Sequence, residues 1–317
     1  MQFGFNLSNS GPLCEAGIMS RIAKAGEALG YDYLTITDHV VLPDVKVPGY
    51  PYSESGEFYG ANHEVRHEQL TTTAWIAAQT TKIRLVLAVL VVPHRQAVLA
   101  AKQLATIDVL SGGRLVVGVG AGWLKAEFDA VVTTPFAERG AVTDEYIQVF
   151  KTLWMQDSSS FSGKYVNYAN IAFRPAPVQK PHPPIWVGGE SPPSLRRAAR
   201  YGDAWYPIGT NNRHPLDSFE LLAAGMDRLR RMTADAGRDP ESVSTVLRFK
   251  RFGAEVPAKA TDGNRRIMHG SAADMAADLR RLEEMGVVAI DIDIEKPTES
   301  ESLARLTRFK DEVISRF

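Results

Sequence analysis

The sequence predicts one (β/α)8 TIM barrel, an α/β fold in which eight parallel strands alternate with helices. Three observations lead there. Short apolar runs alternate eight times with helically spaced stretches along the 317 residues, and no shift in composition marks a boundary, so 1–317 should form a single domain. Several runs, such as Leu115 to Val119, are continuously apolar, as strands buried on both faces are. Glycines such as Gly30 and Gly286 sit where helices should stop. A doubly wound open sheet is the alternative fold.

The units follow in order. Phe3 to Leu7 is the first strand, and Ile18 to Leu29 a helix with apolar positions at Ile18, Ile22, Ala25 and Leu29. Tyr33 to Ile36 is the second strand, ending in Thr37-Asp38-His39. Residues 40–67 break the rhythm with Pro43, Pro48, Gly49, Pro51, Gly56 and Gly60, and a loop this long is usually a lid or binding loop. A helix over Gln69 to Thr80 leads to strand three, Ile83 to Val92, closed by Pro93-His94-Arg95. A helix over Val98 to Leu110 and a Gly-Gly turn precede strand four, which runs into Gly118-Val-Gly120-Ala-Gly122-Trp123.

A helix over Ala141 to Met155 is followed by an irregular, Ser- and Pro-rich insertion, 157–184. Ile185 to Gly189 is strand five, with a helix over Ser194 to Tyr201 after it. Ala204 to Ile208 is strand six, Pro215 to Gly237 a long helix and Val243 to Phe249 strand seven. A third insertion, 253–270, precedes a helix capped by Ser271 with Asp274 in its first turn. Val287 to Ile294 is strand eight, and Glu301 to Phe317 the closing helix.

Composition narrows the function classes. A formal net charge of -1 gives no general attraction to nucleic acid or anionic membrane. One cysteine, Cys14, excludes an intrachain disulfide and a cysteine-rich metal site. The longest apolar run, Leu85 to Val92, falls far short of the ~20 residues that cross a bilayer. With no basic leader before the first strand, a soluble, cytoplasmic protein is expected.

In such a barrel, chemistry sits where the strands end. That rule selects Asp38-His39, His94-Arg95, Gly120-Ala121-Gly122-Trp123, Gly188-Gly189-Glu190-Ser191 and Pro207-Ile-Gly209. The set is rich in glycine, aromatics and imidazole and lacks a carboxylate cluster, which suits a planar cofactor better than a hydrolytic metal site. The glycines after strand four miss the G-x-G-x-x-G dinucleotide pattern, because Trp123 stands at the third position. Gly188-Gly189-Glu190-Ser191, before a helix, offers backbone N–H groups and a hydroxyl to an anion, with Arg196 and Arg197 placed to assist. A capped turn is the plain alternative for that motif, and a structural pair near the mouth the alternative for Asp38-His39.

These stretches together resemble the luciferase-like monooxygenase family. Asp38-His39 is similar to its pair after strand two; Gly112-Gly-Arg114 through Trp123 with Glu127-Phe128 to its glycine-rich strand-four stretch; Pro181 through Gly189 and Ala198 through Trp205 to its strand-five and strand-six patterns. The resemblance implies a non-proline cis peptide at Ala88-Val89 behind a cofactor ring, a ring edge lined by Gly120, Ala121 and Gly122, and a phosphate at Gly188, Gly189 and Ser191. It implies Asp38 among the cofactor-binding residues, His39 as acid or base, Trp123 as a catalytic residue with it, and a substrate space walled by Trp123 and His94.

The cofactor so implied is coenzyme F420, a deazaflavin carrying hydride to or from a small-molecule substrate, with FMN as the alternative. The FMN reading is a monooxygenase using O2 and a separate flavin reductase. A non-catalytic flavin carrier is a lesser reading. A phosphate-handling aldolase or isomerase would instead call on Lys250, Asp291 or Asp293. A homodimer is expected from the resemblance alone.

Overall fold

Eight parallel strands close on themselves in the computed structural model, which describes residues 1–45, 47–52, 56–58 and 65–317. The barrel strands are β1 (Gln2–Asn6), β2 (Tyr33–Ile36), β3 (Arg84–Leu87), β4 (Leu115–Gly120), β5 (Ile185–Gly188), β6 (Ala204–Tyr206), β7 (Ser244–Phe249) and β8 (Val287–Asp293). Neighbours pair in chain order, β8 returns to β1 through Phe3↔Ile290, and β4 meets β5 through Val117↔Ile185. The ladder therefore has no open edge, which rules out the doubly wound alternative.

Helices occupy the outside: α1 (Ala16–Ala28), α2 (Gln69–Gln79), α3 (Ala97–Leu110), α4 (Lys125–Val131), α5 (Arg139–Met155), α6 (Pro192–Tyr201), α7 (Phe219–Asp235), α8 (Ala272–Glu284) and α9 (Glu299–Arg308). Ser271 and Asp274 form the expected capping box on α8, each side chain bonding the other's backbone N–H. Among the described residues, no helix is long and apolar enough to cross a membrane.

Alternation along the strands separates two cores. Phe5, Leu34, Leu85, Leu87, Val117, Val187 and Ile292 face the helices. Tyr33, Val86, Val116, Trp186, Tyr206 and Val246 fill the barrel interior. Each large apolar side chain so buried contributes about 1.5–3 kcal/mol. Arg114, from the turn before β4, donates to the carbonyls of Ala77, Thr80 and Ile83, so it caps α2 at the end of the barrel away from the catalytic face.

Several expectations are corrected. Strand three is interrupted: β3 stops at Leu87, the Ala88–Val89 peptide is cis, and only Leu90–Val91 rejoins the sheet, beside Val119 and Gly120. The insertion 157–184 is not wholly irregular, since Ser158–Ser162 and Asn167–Ala172 form an antiparallel hairpin on exposed polar residues. The short α4, after Trp123, lay unread within a stretch of few helical turns. The loop 40–67 carries a small pairing of Val47–Pro48 with Glu57–Phe58; its residues 46, 53–55 and 59–64, including Gly60, lie outside the described residues. The helix after β5 starts at Pro192 and the one after β6 at Phe219, because Ser191 and Ser218 take the cap positions.

Close packing around the interruption yields a stability prediction. A Cβ on Gly118 would lie 1.8 Å from the carbonyl oxygen of Leu87, a backbone atom that cannot yield without parting β3 from β4. A Cβ on Gly237 would meet nothing within 4 Å, although its φ of 74° favours glycine. Chemical denaturation should show Gly118→Ala destabilised by at least about 3 kcal/mol and Gly237→Ala by about 1 kcal/mol. Equal losses would refute the close approach of the two strands.

Candidate active site at the mouth of the barrel

The floor of the mouth is built by Val89. Added side chains at Gly120 and Gly188 would meet its methyl carbons at 2.5 and 2.8 Å, and one at Gly118 would reach a methyl at 3.4 Å. Gly120 of β4 and Gly188 of β5 are therefore required by a valine projecting from the interrupted third strand. Val89 fills the space over Gly120 and Gly188 and, half-buried with Ala88, forms the upper surface. Ala121 and Gly122, half-buried with Gly122 at φ 82°, extend the same surface toward Trp123.

One imidazole stands at the rim, with a carboxylate behind it. His39 Nδ1 lies 2.7 Å from Glu127 Oε2, and the other carboxylate oxygen accepts the Val40 N–H at 2.6 Å. Burial raises the Glu127 pKa, but the His39 hydrogen bond and charge with the Val40 N–H more than reverse this, so the group stays below the ordinary carboxylate range. An ionised Glu127 only accepts, which places the His39 proton on Nδ1 and leaves Nε2 to exchange protons. Glu127 was part of the sequence resemblance yet had no assigned role. Its position on the seven-residue α4 gives no periodic signal that it faces His39.

Asp38 has a different job from its neighbour. Its carboxylate takes both terminal nitrogens of Arg95, at 2.7 and 2.9 Å, and the Val91 N–H at 2.9 Å. No side-chain surface remains exposed. Asp38 fixes the segment that follows Val89 and offers no surface to a ligand. His94 also lies within the wall, 8% exposed, packed on Phe128 and below Gly122, and burial lowers its pKa.

Aromatic rings roof the mouth. Phe58 lies 5.3 Å from His39 and 5.3 Å from Trp123, and Tyr50 lies 5.0 Å from Trp123. Lys250 Nζ donates to Tyr50 Oη at 2.6 Å, so the lysine considered for an aldolase is engaged with the roof. Asp291 is fully buried inside the barrel, accepting from Tyr206 Oη at 2.7 Å, while Asp293 at the end of β8 accepts the Glu295 N–H.

At the end of β5, Gly189 has φ 99° and Ser191 caps α6, its hydroxyl 3.0 Å from that of Ser194. With Pro192 first in the helix, Arg196 and Arg197 fall in the second turn; Arg197 pairs with Asp144 and points to α5. Glu190, which sequence reasoning left without a role, accepts from the Ile208 N–H at 2.6 Å and Tyr52 Oη at 3.0 Å. It thereby ties the roof to β5.

The comparisons with known proteins show the family and the fold. The family described as luciferase-like monooxygenase matches residues 8–317. An FMNH(2)-dependent dimethylsulfone monooxygenase of Pseudomonas putida is 38% identical over 182 residues, 56% of this chain and 47% of that protein, so the match spans about half of the relative's length. An uncharacterized protein of Mycobacterium tuberculosis is 31% identical over 265 residues, 84% of this chain and 86% of its own. An F420-dependent secondary alcohol dehydrogenase, solved in complex with an F420-acetone adduct, superposes with a TM-score of 0.74 at 16% identity, over 100% of this chain and 99% of its own; at that identity it shows the fold alone.

Burial raises the Glu190 pKa to about 7, against the Ile208, Tyr52 and Asn211 donors that favour the charged form. Unfolded, the group titrates near its ordinary 4.5. The folded protein thus keeps this proton where the unfolded chain has released it. Its stabilising contribution is complete below pH ~4.5 and is lost as pH rises through ~7. Denaturation between pH 4.5 and 8 should show that decline in the parent protein and a flatter profile in Glu190→Gln. Identical profiles would refute the protonated carboxyl.

Proposed function

The chain belongs to the luciferase-like monooxygenase family, and from that premise we propose that it transfers hydride between reduced coenzyme F420 and a small organic substrate. The observation that carries this reading is the His39–Glu127 pair beside the Val89 floor. Hydride transfer to a carbonyl needs a proton for the oxygen, and an imidazole with one nitrogen held by a buried carboxylate is built to give or take it.

The residues present fit a planar ring with a phosphate. Ala88, Val89, Ala121 and Gly122 offer a half-buried apolar surface with Gly120 buried beneath Val89, while Gly188, Gly189 and Ser191 stand at the positive end of α6. When bound, the deazaflavin supplies the hydride-carrying carbon. The protein does the rest. His39 Nε2 exchanges the proton, Glu127 keeps Nδ1 protonated, and Asp38 with Arg95 holds the end of strand three. Trp123, Tyr50 and Phe58 exclude water and wall the substrate. The same proposal takes the protein as cytoplasmic, and as a homodimer using the α3 face where Leu99 and Leu110 are 56% and 70% exposed.

A second reading is an FMN-dependent monooxygenase fed by a flavin reductase. The 38% identity to the Pseudomonas putida enzyme supports it. Anaerobic mixing of the protein with reduced F420 and a panel of small ketones and aldehydes separates the two. Oxidation of the deazaflavin is the expected result, slowed about 10²–10⁴-fold in His39→Ala with cofactor affinity changed less than about threefold. Oxygen uptake with reduced FMN and none of that oxidation would establish the second reading. An unchanged rate in His39→Ala would remove the imidazole from either.

A further inference from the structure

Beyond Ser191, the N-termini of α5 and α6 converge on a cleft of about 230 Å³ lined by Gly140, Asp144, Pro193, Arg196, Arg197 and Arg200. Arg197 is buried against Asp144 and the Gly140 carbonyl, so the one acid of the cleft is neutralised from within. Arg196 and Arg200, four residues apart on the same face of α6, are exposed and have no hydrogen bond or ion pair among the described residues. Like charges at that spacing repel, a cost the helix carries with no internal partner to offset it. Two helix N-termini add their partial positive charge to the same space.

The cleft lies next to Ser191 along α6. Pro193 lies two residues from Ser191, and Arg139, first in α5, donates to the Gly122 carbonyl at 3.1 Å. A ligand seated by its phosphate at Ser191 therefore meets this basic cleft next. FMN ends at its phosphate, whereas coenzyme F420 carries a carboxylate-rich oligoglutamyl tail beyond it. We propose that the Arg196–Arg200 cleft is a binding subsite for a polyanionic extension of the cofactor on the far side of its phosphate. This rests on the F420 reading and gives the chain a means of selecting that cofactor over FMN.

Fluorescence titration at low ionic strength tests it, using the full chain with oligoglutamyl F420, the same deazaflavin phosphate with its tail removed, and FMN. The variants are Arg196→Ala/Arg200→Ala and, as a check on charge rather than shape, Arg196→Lys/Arg200→Lys. Two exposed ion pairs lost together correspond to roughly a tenfold weakening. The alanine pair should show that loss for full-length F420 alone, with the other two ligands changed less than about twofold. The lysine pair should recover most of it. An equal loss for all three ligands would assign the arginines to the phosphate, and no loss for F420 would empty the cleft; either overturns the subsite while leaving the cofactor reading in place. Binding of FMN with none of F420 would overturn both.

Discussion

The mouth of this barrel depends on the contact between Val89 and the backbone of strands β4 and β5. Where an ordinary parallel strand would continue, the chain turns at Ala88–Val89 and sends a branched side chain across the barrel end. Only glycine is tolerated opposite it at Gly120 and Gly188, while the Leu87 carbonyl holds Gly118 to glycine. The consequence is a closed apolar floor above an interior filled by Tyr33, Trp186 and Tyr206, so a ligand at this end is excluded from the barrel itself.

Charged groups near that floor divide into two kinds by their burial and partners. Asp38 and Arg95 saturate one another and hold backbone, as a buried pair must to offset its lost hydration. His39 and Glu127 are joined at one nitrogen only, so the pair holds an orientation while leaving the other nitrogen available. Adjacent positions in the sequence thus differ in their partners: Asp38 holds the end of strand three, and His39 is joined to Glu127 at the rim.

The alternation of strands and helices, the Ser271 cap and the strand ends bearing His39, Gly120 and Ser191 were legible in the sequence, because each is a local pattern of periodicity or turn chemistry. What stayed hidden depends on distant contacts. That Gly118 makes room for the Leu87 carbonyl and Gly120 for Val89 is a relation across about thirty positions. Glu127 meets His39 across 88 positions from a helix too short to show a face. Tyr50, Tyr52 and Phe58 sit in a loop whose Pro and Gly content announces irregularity but not where its rings land. The hairpin at 158–172 escaped because its strands are largely exposed and built of Ser, Asn and Tyr.

The central claim is one of place: a planar cofactor lies on Val89 with its phosphate at Ser191 and its reacting edge toward His39. A crystal structure of the protein soaked anaerobically with coenzyme F420 tests that most directly. The account predicts the ring in van der Waals contact with Val89 and Ala121, the phosphate within hydrogen-bond reach of the Ser191 hydroxyl, and His39 Nε2 facing the ring. A ring bound elsewhere, with Val89 uncovered and the phosphate on another helix, would contradict it.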